Sequence, residues 1–547
     1  MTADSRLHTA PAAQNRPLER SSPPRGEQCA GAARQSLSAA VLRPRSATAP
    51  PEGGGGGSGI LPRERFDTSR NPPPLPLAGP TTTPGALRQT GGGLRGMSEF
   101  TLIGTSTKYH GGGARRLSLL ERTRHVYVLG KTGSGKSTFL SNLITQDLIQ
   151  GWGVGVIDPH GELAEELLAH IPRSRTREVV YINLADTERP IAWNPLEPIA
   201  GLAPATLAFS IVSACKHIWR ESWGPRMEYV LTNSLQALIE ARKSFLHLPQ
   251  FLSDDCYRAE LLDDVFDPKV LHFFEQEFAA FDSRTQAEII SPIQNKIGQL
   301  LLQPTIRNML AYTRGTVRLN ETLARGQILV VNLAKGQVGE EPANLFGSLL
   351  VSVFGALALA RCALPKETWK PFLLSIDEFH NFSTEAFAGM LSEVRKYQLG
   401  LVLAHQYLGQ LKEPVRKAVL GNVGTKVLLG VGVEDAERLG LECRPYAPSY
   451  LLEVEAFAGL LRAQGGEAEP IRLFPPIDTR RANSLRTGRG DMIRQESRRR
   501  FGVARTTLEQ KVQEALQTSS RRRSGGVVRV RVADQPSYKK RRSQGRF

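Results

Sequence analysis

Short apolar runs recur along the chain, each closed by a polar or glycine-rich turn. They are His125–Leu129, Val154–Ile157, Gln327–Leu333, Phe372–Ile376 and Gly400–Ala404. None alternates apolar with polar positions, so each reads as a strand buried on both faces, the pattern of a parallel sheet covered by helices. Between them the period changes. Thr138–Gln150 carries Phe139, Leu143 and Leu148 among polar residues, and Ser383–Gln398 carries Phe387, Met390, Leu391 and Val394 on one face, so both read as helices. Residues 203–312 have few strand-like stretches. Leu231, Leu235, Leu238 and Ile239, then Ile293, Ile297, Leu300 and Leu301, fall at helical spacing and predict an all-helical insert. Leu345–Leu364 is apolar for nearly a bilayer's thickness, but Gly347, Ser348, Ser352, Gly355 and Arg361 interrupt it and it lies between two strands. It reads as a buried helix covering the sheet rather than a membrane span. Phe100–Gly104 predicts an entry strand, Leu451–Leu461 a strand or helix, and Ile493–Leu516 a charged helix.

The expected architecture is α/β with a mostly parallel central sheet. Its first part runs over 97–202 and its second over 313–480, separated by the helical insert, with a charged helical extension at 481–516. A length of 547 residues suits roughly two to four domains.

Charge changes the picture at the ends. Of the formal net charge of +17, residues 1–96 hold twelve arginines against six acids, and 517–547 hold ten Lys or Arg against Asp534 alone. The stretch between is left near neutrality, so the high pI is no argument that the core itself binds nucleic acid. Residues 1–96 contain Pro72-Pro73-Pro74, a glycine run at 53–57 and no lysine or apolar periodicity; they are expected to be disordered. Met97 opens a segment of different character, and translation starting there would explain the change. No secretory h-region follows the first arginines. The basic tail 517–547 is expected to be disordered too; an electrostatic grip on DNA phosphates and a merely solvated end are equally good readings of it. Five scattered cysteines with no C-x-x-C pair argue against a zinc site or disulfide framework and suit a reducing compartment.

The chemistry is concentrated in two stretches. Gly130-Lys131-Thr132-Gly133-Ser134-Gly135-Lys136-Ser137-Thr138 fits G-x-x-x-x-G-K-[ST] between a strand and a helix, the context a phosphate-cradling P-loop requires. The glycines let backbone N–H groups close on phosphate oxygens at a helix N-terminus. Lys136 would reach the β- and γ-phosphates and Ser137 would ligate Mg²⁺. The apolar run 372–376 ends in Asp377-Glu378. Asp377 would hold the Mg²⁺ shell, and Glu378 would orient and activate the attacking water, which favours hydrolysis over mere binding. Asp158, ending another run, is either a ligand-loop residue or a helix cap. Gln406 follows the run 400–404 and either reports the γ-phosphate or is a polar loop residue. Arg395 lies where a cation favours a helix C-terminus.

In order, RHVYVLGKTGSGKST (124–138), GVGVIDPHGEL (153–163), ILVVNLAKGQVGE (328–340), FLLSIDEFHNF (372–382), SEVRKYQLGLVLAHQYLGQL (392–411) and NVGTKVLLGVGVEDAERLG (422–440) carry a resemblance. Over roughly 97–515 the chain resembles the coupling-protein ATPases of conjugative type IV secretion, the TraD/TraG type, within the HerA/FtsK superfamily of RecA-like motors. The resemblance implies a RecA-like P-loop NTPase with an all-helical insert, ATP and Mg²⁺ as cofactors, and a homo-hexameric ring that pumps DNA. On it, Lys136 and Ser137 match Walker A and Asp377 and Glu378 match Walker B. Gln406 matches the sensor glutamine, and Arg395 matches the arginine finger that a neighbouring subunit points into the ATP site. Relaxase and secretion-channel proteins are the implied partners. Members anchored in the membrane carry N-terminal transmembrane helices, for which no candidate exists here; a cytoplasmic protein recruited to the inner face of the membrane by a partner is expected. Two other readings stand beside the motor: DNA processing or chromosome segregation by the same ATPase, and a nucleotide-gated docking platform with little hydrolysis.

Overall fold

Eleven strands form one sheet in the order β2-β1-β11-β10-β9-β3-β8-β7-β4-β6-β5. The computed structural model describes residues 100–106, 113–477 and 488–517; the expected disorder of 1–96 and 517–547 concerns residues that lie almost wholly outside that range. The strands are β1 Phe100–Ser106, β2 Gly113–Ser118, β3 Val126–Leu129, β4 Gly153–Asp158, β5 Val179–Asn183 and β6 Ile328–Asn332. The rest are β7 Phe372–Ile376, β8 Leu399–His405, β9 Thr425–Leu429, β10 Ala458–Ala463 and β11 Ala468–Leu473. From β9 to β5 every pairing is parallel, whereas β10, β11, β1 and β2 extend one side as an antiparallel ribbon. The expected α/β fold with a mostly parallel sheet is therefore what forms, and a RecA-like arrangement describes it.

The parallel strands are continuous apolar runs because both faces are covered. Tyr127, Leu129 and Ile157 point into one core, and Val126, Val128, Val154 and Val156 into the other, as the two-residue period of a strand requires. The second face is covered by helices α1 (Lys136–Gln150) and α2 (Glu162–His170). The first is covered by α3 (Pro204–Ile218) and α6 (Glu340–Ala360), and its core runs on without a break into α4 (Pro225–Glu240) and α5 (Ser283–Leu302). All described elements from Pro204 to Met309 are helical. Trp193 meets Phe346 edge-on at 5.0 Å, and Trp219 Nε1 donates to Glu341 at 3.1 Å, so the segments on either side of α3 are both tied to α6.

Among the described residues one helical stretch, Glu340–Ala363, is long and apolar enough to cross a membrane, and 83% of its most apolar window is buried inside the fold. That burial accounts for its composition.

Helix α7 (Glu385–Glu393) is shorter than the pattern predicts: it gives way to a 3₁₀ turn over Val394–Tyr397 that holds Arg395 and Lys396. Helix α8 (Glu413–Asn422) follows β8. The charged extension is not one helix but two, α9 (Arg489–Phe501) and α10 (Arg505–Gln517). The break falls at Gly502, which bridges to Ile191 while Val503 N donates to Pro190 O at 3.0 Å. A Cβ at Gly502 would come within 2.8 Å of Arg189 O, so only glycine allows this close approach.

Candidate nucleotide site

The parallel register fixes where the chemistry sits. Leu129 pairs with His405 and with Leu428, and Ile376 pairs with Leu403 and Ile157. The C-terminal ends of β3, β7, β8 and β4 therefore lie along one edge, where open α/β sheets bind ligands. That edge brings together the P-loop, Asp377-Glu378, Gln406 and Asp158.

The P-loop leaves β3 with Gly130 N donating to His405 O at 3.4 Å and Lys131 N to Gly430 O at 2.8 Å, so both neighbouring strands anchor it. Gly130 has no room for a side chain, since a Cβ would lie 2.6 Å from Ser134 Oγ and 2.7 Å from Leu429 Cβ. Gly135 stands before the first turn of α1 with φ +105°, and a Cβ there would meet the ring of Phe457 at 2.8 Å. Lys136 is buried, and its Nζ donates to Gly130 O at 2.6 Å, inside its own loop. Burial lowers the Lys136 pKa, against the pull of Glu378 and Asp377. Thr132 and Ser137 are exposed. Ser134 Oγ is buried with no hydrogen-bond partner.

Glu378 adopts the left-handed backbone, φ +44°, uncommon for a residue with a Cβ. Asn381 holds the turn by donating its N–H at 3.1 Å and its Nδ2 at 3.0 Å to Glu378 O. The Glu378 carboxylate accepts from Gln406 Nε2 at 2.9 Å, and His380 Nδ1 lies 3.3 Å from its other oxygen. Burial opposes its ionisation, but His380, Gln406 and Lys136 outweigh burial and hold the carboxyl below its usual range. The far end of Gln406 is reached by the Thr132 hydroxyl at 3.5 Å, so one amide spans from the P-loop to Glu378. Asp377 behaves oppositely. Burial, then the charges of Glu378 and Asp158, push its pKa up to about 7, despite the Glu378 N–H and Lys136.

Asp158 resolves toward capping: its two oxygens accept from His160 N and Ala164 N, both at 2.9 Å, fixing the start of α2. Arg395 is not brought to this edge. It precedes β8 whereas Gln406 follows it, and seven strand residues at ~3.3 Å each put about 20 Å between them. Its side chain is exposed and makes no hydrogen bond or ion pair among the described residues. Sequence reading missed His380, two positions past Glu378, and the buried relay behind it. There Tyr127 Oη meets His405 Nε2 at 2.7 Å, His405 Nδ1 lies 3.1 Å from Gln410 Oε1, and Gln410 Nε2 lies 3.4 Å from His380 Nε2.

The donor set fits Mg²⁺ with a nucleotide. One hydroxyl, Ser137, and one carboxylate whose high pKa a cation would relieve, Asp377, leave room for phosphate and water ligands, as Mg²⁺ prefers. No group of three His, Cys, Asp or Glu suited to a metal cage occurs among the described residues.

The family model described as the central domain of helicase HerA matches residues 118–197, the stretch holding the P-loop, α1, β4 and α2. A comparison with curated proteins finds no match. Among solved structures, the bacterial conjugative coupling protein TrwB, in a form lacking its first 70 residues, is similar at 16% identity and TM-score 0.48, over 66% of this chain and 87% of that one. TrwB in complex with ADP and Mg²⁺ is similar at 16% identity and TM-score 0.47, over 65% and 86%. VirB4 of Thermoanaerobacter pseudethanolicus is similar at 19% identity and TM-score 0.45, over 68% and 96%.

Proposed function

We propose that this chain is an ATP-hydrolysing, DNA-translocating motor of the coupling-protein type within the HerA/FtsK superfamily, acting as a homo-hexameric ring in conjugative transfer. The observation that carries the reading is the meeting of the P-loop, Asp377, Glu378 and Gln406 on one sheet edge, with Thr132, Gln406 and Glu378 joined side chain to side chain. The matched motifs and the HerA central-domain match support the choice of superfamily.

The residues divide the work. Backbone N–H groups of Gly133–Ser137 cradle the phosphates, and Lys136 leaves Gly130 O to neutralise the transferred phosphoryl. Ser137 and Asp377 would hold Mg²⁺, which would supply neutralisation of the phosphate charge. Glu378, ionised through His380 and Gln406, orients the attacking water and takes its proton. Gln406 touches Thr132 on the loop and Glu378 on the next strand, so it is placed to sense whether a γ-phosphate is present. Arg395 cannot serve its own site across about 20 Å of strand. A ring in which it enters the neighbour's site gives it a role, since such fingers stabilise transition-state charge.

DNA-stimulated phosphate release is the test: turnover should rise with DNA and vanish in Glu378→Gln. Turnover that is negligible with and without DNA would favour the docking-platform reading. The HerA match also suits DNA processing; relaxase and secretion-channel genes nearby, against a nuclease gene, separate the two.

A further inference from the structure

We propose that Phe457 is the platform on which the nucleotide's base stacks. The proposal rests on the nucleotide-site reading and extends it to the end of the ligand that no motif describes.

Sheet order supplies the direction. Glu378 and Gln406 end β7 and β8, on one flank of β3, while β9 and β10 lie on the other. A nucleotide lying across the end of β3 with its γ-phosphate toward Glu378 sends its base toward β9 and β10. There β10 runs antiparallel to β9, Gly459 pairing with Leu429, so the residues just before β10 arrive at the P-loop edge. Phe457 is among them, and its ring lies against Gly135.

The residue is held there at a cost. Phe457 has φ +64°, a conformation that is a true outlier for a bulky side chain. Two backbone bonds impose it: Phe457 N donates to Ser134 O in the P-loop at 3.0 Å, and Leu473 N donates to Phe457 O at 2.8 Å. Burial does not explain it, because the side chain stays 41% exposed. A strained, exposed aromatic bonded to the P-loop has the form of a ligand clamp. Its π-face would stack a base, and such stacking tolerates base identity. Tyr407 is also exposed, but it follows Gln406 on the Glu378 flank and has an unstrained extended backbone.

Isothermal titration of the full chain with Mg²⁺ and either a non-hydrolysable ATP analogue or inorganic tripolyphosphate tests the proposal. Phe457→Leu keeps bulk over Gly135 but has no π-face. It should weaken the analogue about tenfold, the scale of one lost base–aromatic stack, and leave tripolyphosphate unchanged. Phe457→Trp should retain analogue affinity, and it carries the test if the Leu variant melts early. Equal weakening of both ligands by Phe457→Leu, or no change in either, overturns the proposal. Lys136→Ala separates the underlying reading: if it leaves tripolyphosphate binding intact, the phosphate site itself is wrong.

Discussion

Gln406 donates to Glu378 at 2.9 Å, and the same amide is the one the Thr132 hydroxyl approaches. The carboxylate proposed as the catalytic base is thus tied to the phosphate loop through Gln406, and it should respond to what the loop holds. Glu378→Gln should bind ATP and trap it, with turnover lower by roughly 10²–10⁴-fold. Gln406→Ala should slow turnover less and leave ATP affinity near wild type, because the carboxylate keeps His380. A fluorescent ATP analogue for binding and phosphate release for turnover measure both. Full turnover in Glu378→Gln would sink the assignment of the base.

Lys136 Nζ is satisfied within its own loop, donating to Gly130 O at 2.6 Å. Lys136→Ala should therefore leave the fold intact and show its loss only with nucleotide, as turnover reduced by at least about 10²–10³-fold. Melting temperature with and without nucleotide distinguishes this from a folding defect: the variant should melt near wild type alone and gain little when nucleotide is added.

Asp377 makes stability pH-dependent. Its pKa is raised to about 7 in the fold, so between roughly pH 4 and 7 the folded state binds more protons than the unfolded chain. This contribution is present at the acid end of the window and lost as pH rises through 7. Asp377→Asn cannot ionise beside Glu378 and Asp158, so it should raise the nucleotide-free melting temperature at pH 8.5 and raise it clearly less at pH 5. A gain of equal size at both values would show that charge is not the cause.

Arg122 and Asp147 are both fully buried and paired twice, at 2.7 and 2.9 Å, with Thr101 taking a third bond from the guanidinium. They join the entry strand β1 to α1. Asp147→Asn leaves a buried cation uncompensated and should cost about 3–5 kcal/mol, whereas replacing both residues with apolar ones of similar volume should cost far less. Chemical denaturation of the single and double variants measures the difference.

These sites differ in how far the chain's one-dimensional pattern reveals them. The P-loop and Asp377-Glu378 are local: strand, turn and functional residue are contiguous, so spacing alone places them. Gln406 is legible as the end of a strand, but its bond to Glu378 depends on β7 and β8 being neighbours. Phe457 has no local signal, because its place beside Gly135 comes from an antiparallel ribbon added next to β9. For the same reason Leu451–Leu461 is ambiguous by pattern and proves to hold a short helix at Tyr450–Glu453 and then β10. The break at Gly502 is set by backbone bonds to 189–191, more than 300 residues earlier in sequence, which no helical period can encode.

Arg395 offers the sharpest test, because its position excludes one class of explanation. The far end of β8 places it about 20 Å from Gln406, so no rotamer brings it to its own P-loop. If it only favours the end of α7 electrostatically, Arg395→Ala should cost on the order of 0.3–1 kcal/mol of stability and leave turnover intact. If it is a finger for the next subunit, Arg395→Ala should lower turnover by roughly 10³-fold or more. Each active site would then take Lys136 from one subunit and Arg395 from its neighbour. Lys136→Ala and Arg395→Ala proteins would be inactive separately. Mixed and reassembled, some interfaces would join an intact Lys136 to an intact Arg395, and those should hydrolyse ATP. Rescue of activity from two dead proteins is an outcome that a residue acting within its own subunit cannot give. Mixed rings shown to form, by native mass spectrometry of differently tagged subunits, yet without activity, would remove Arg395 from the catalytic machinery.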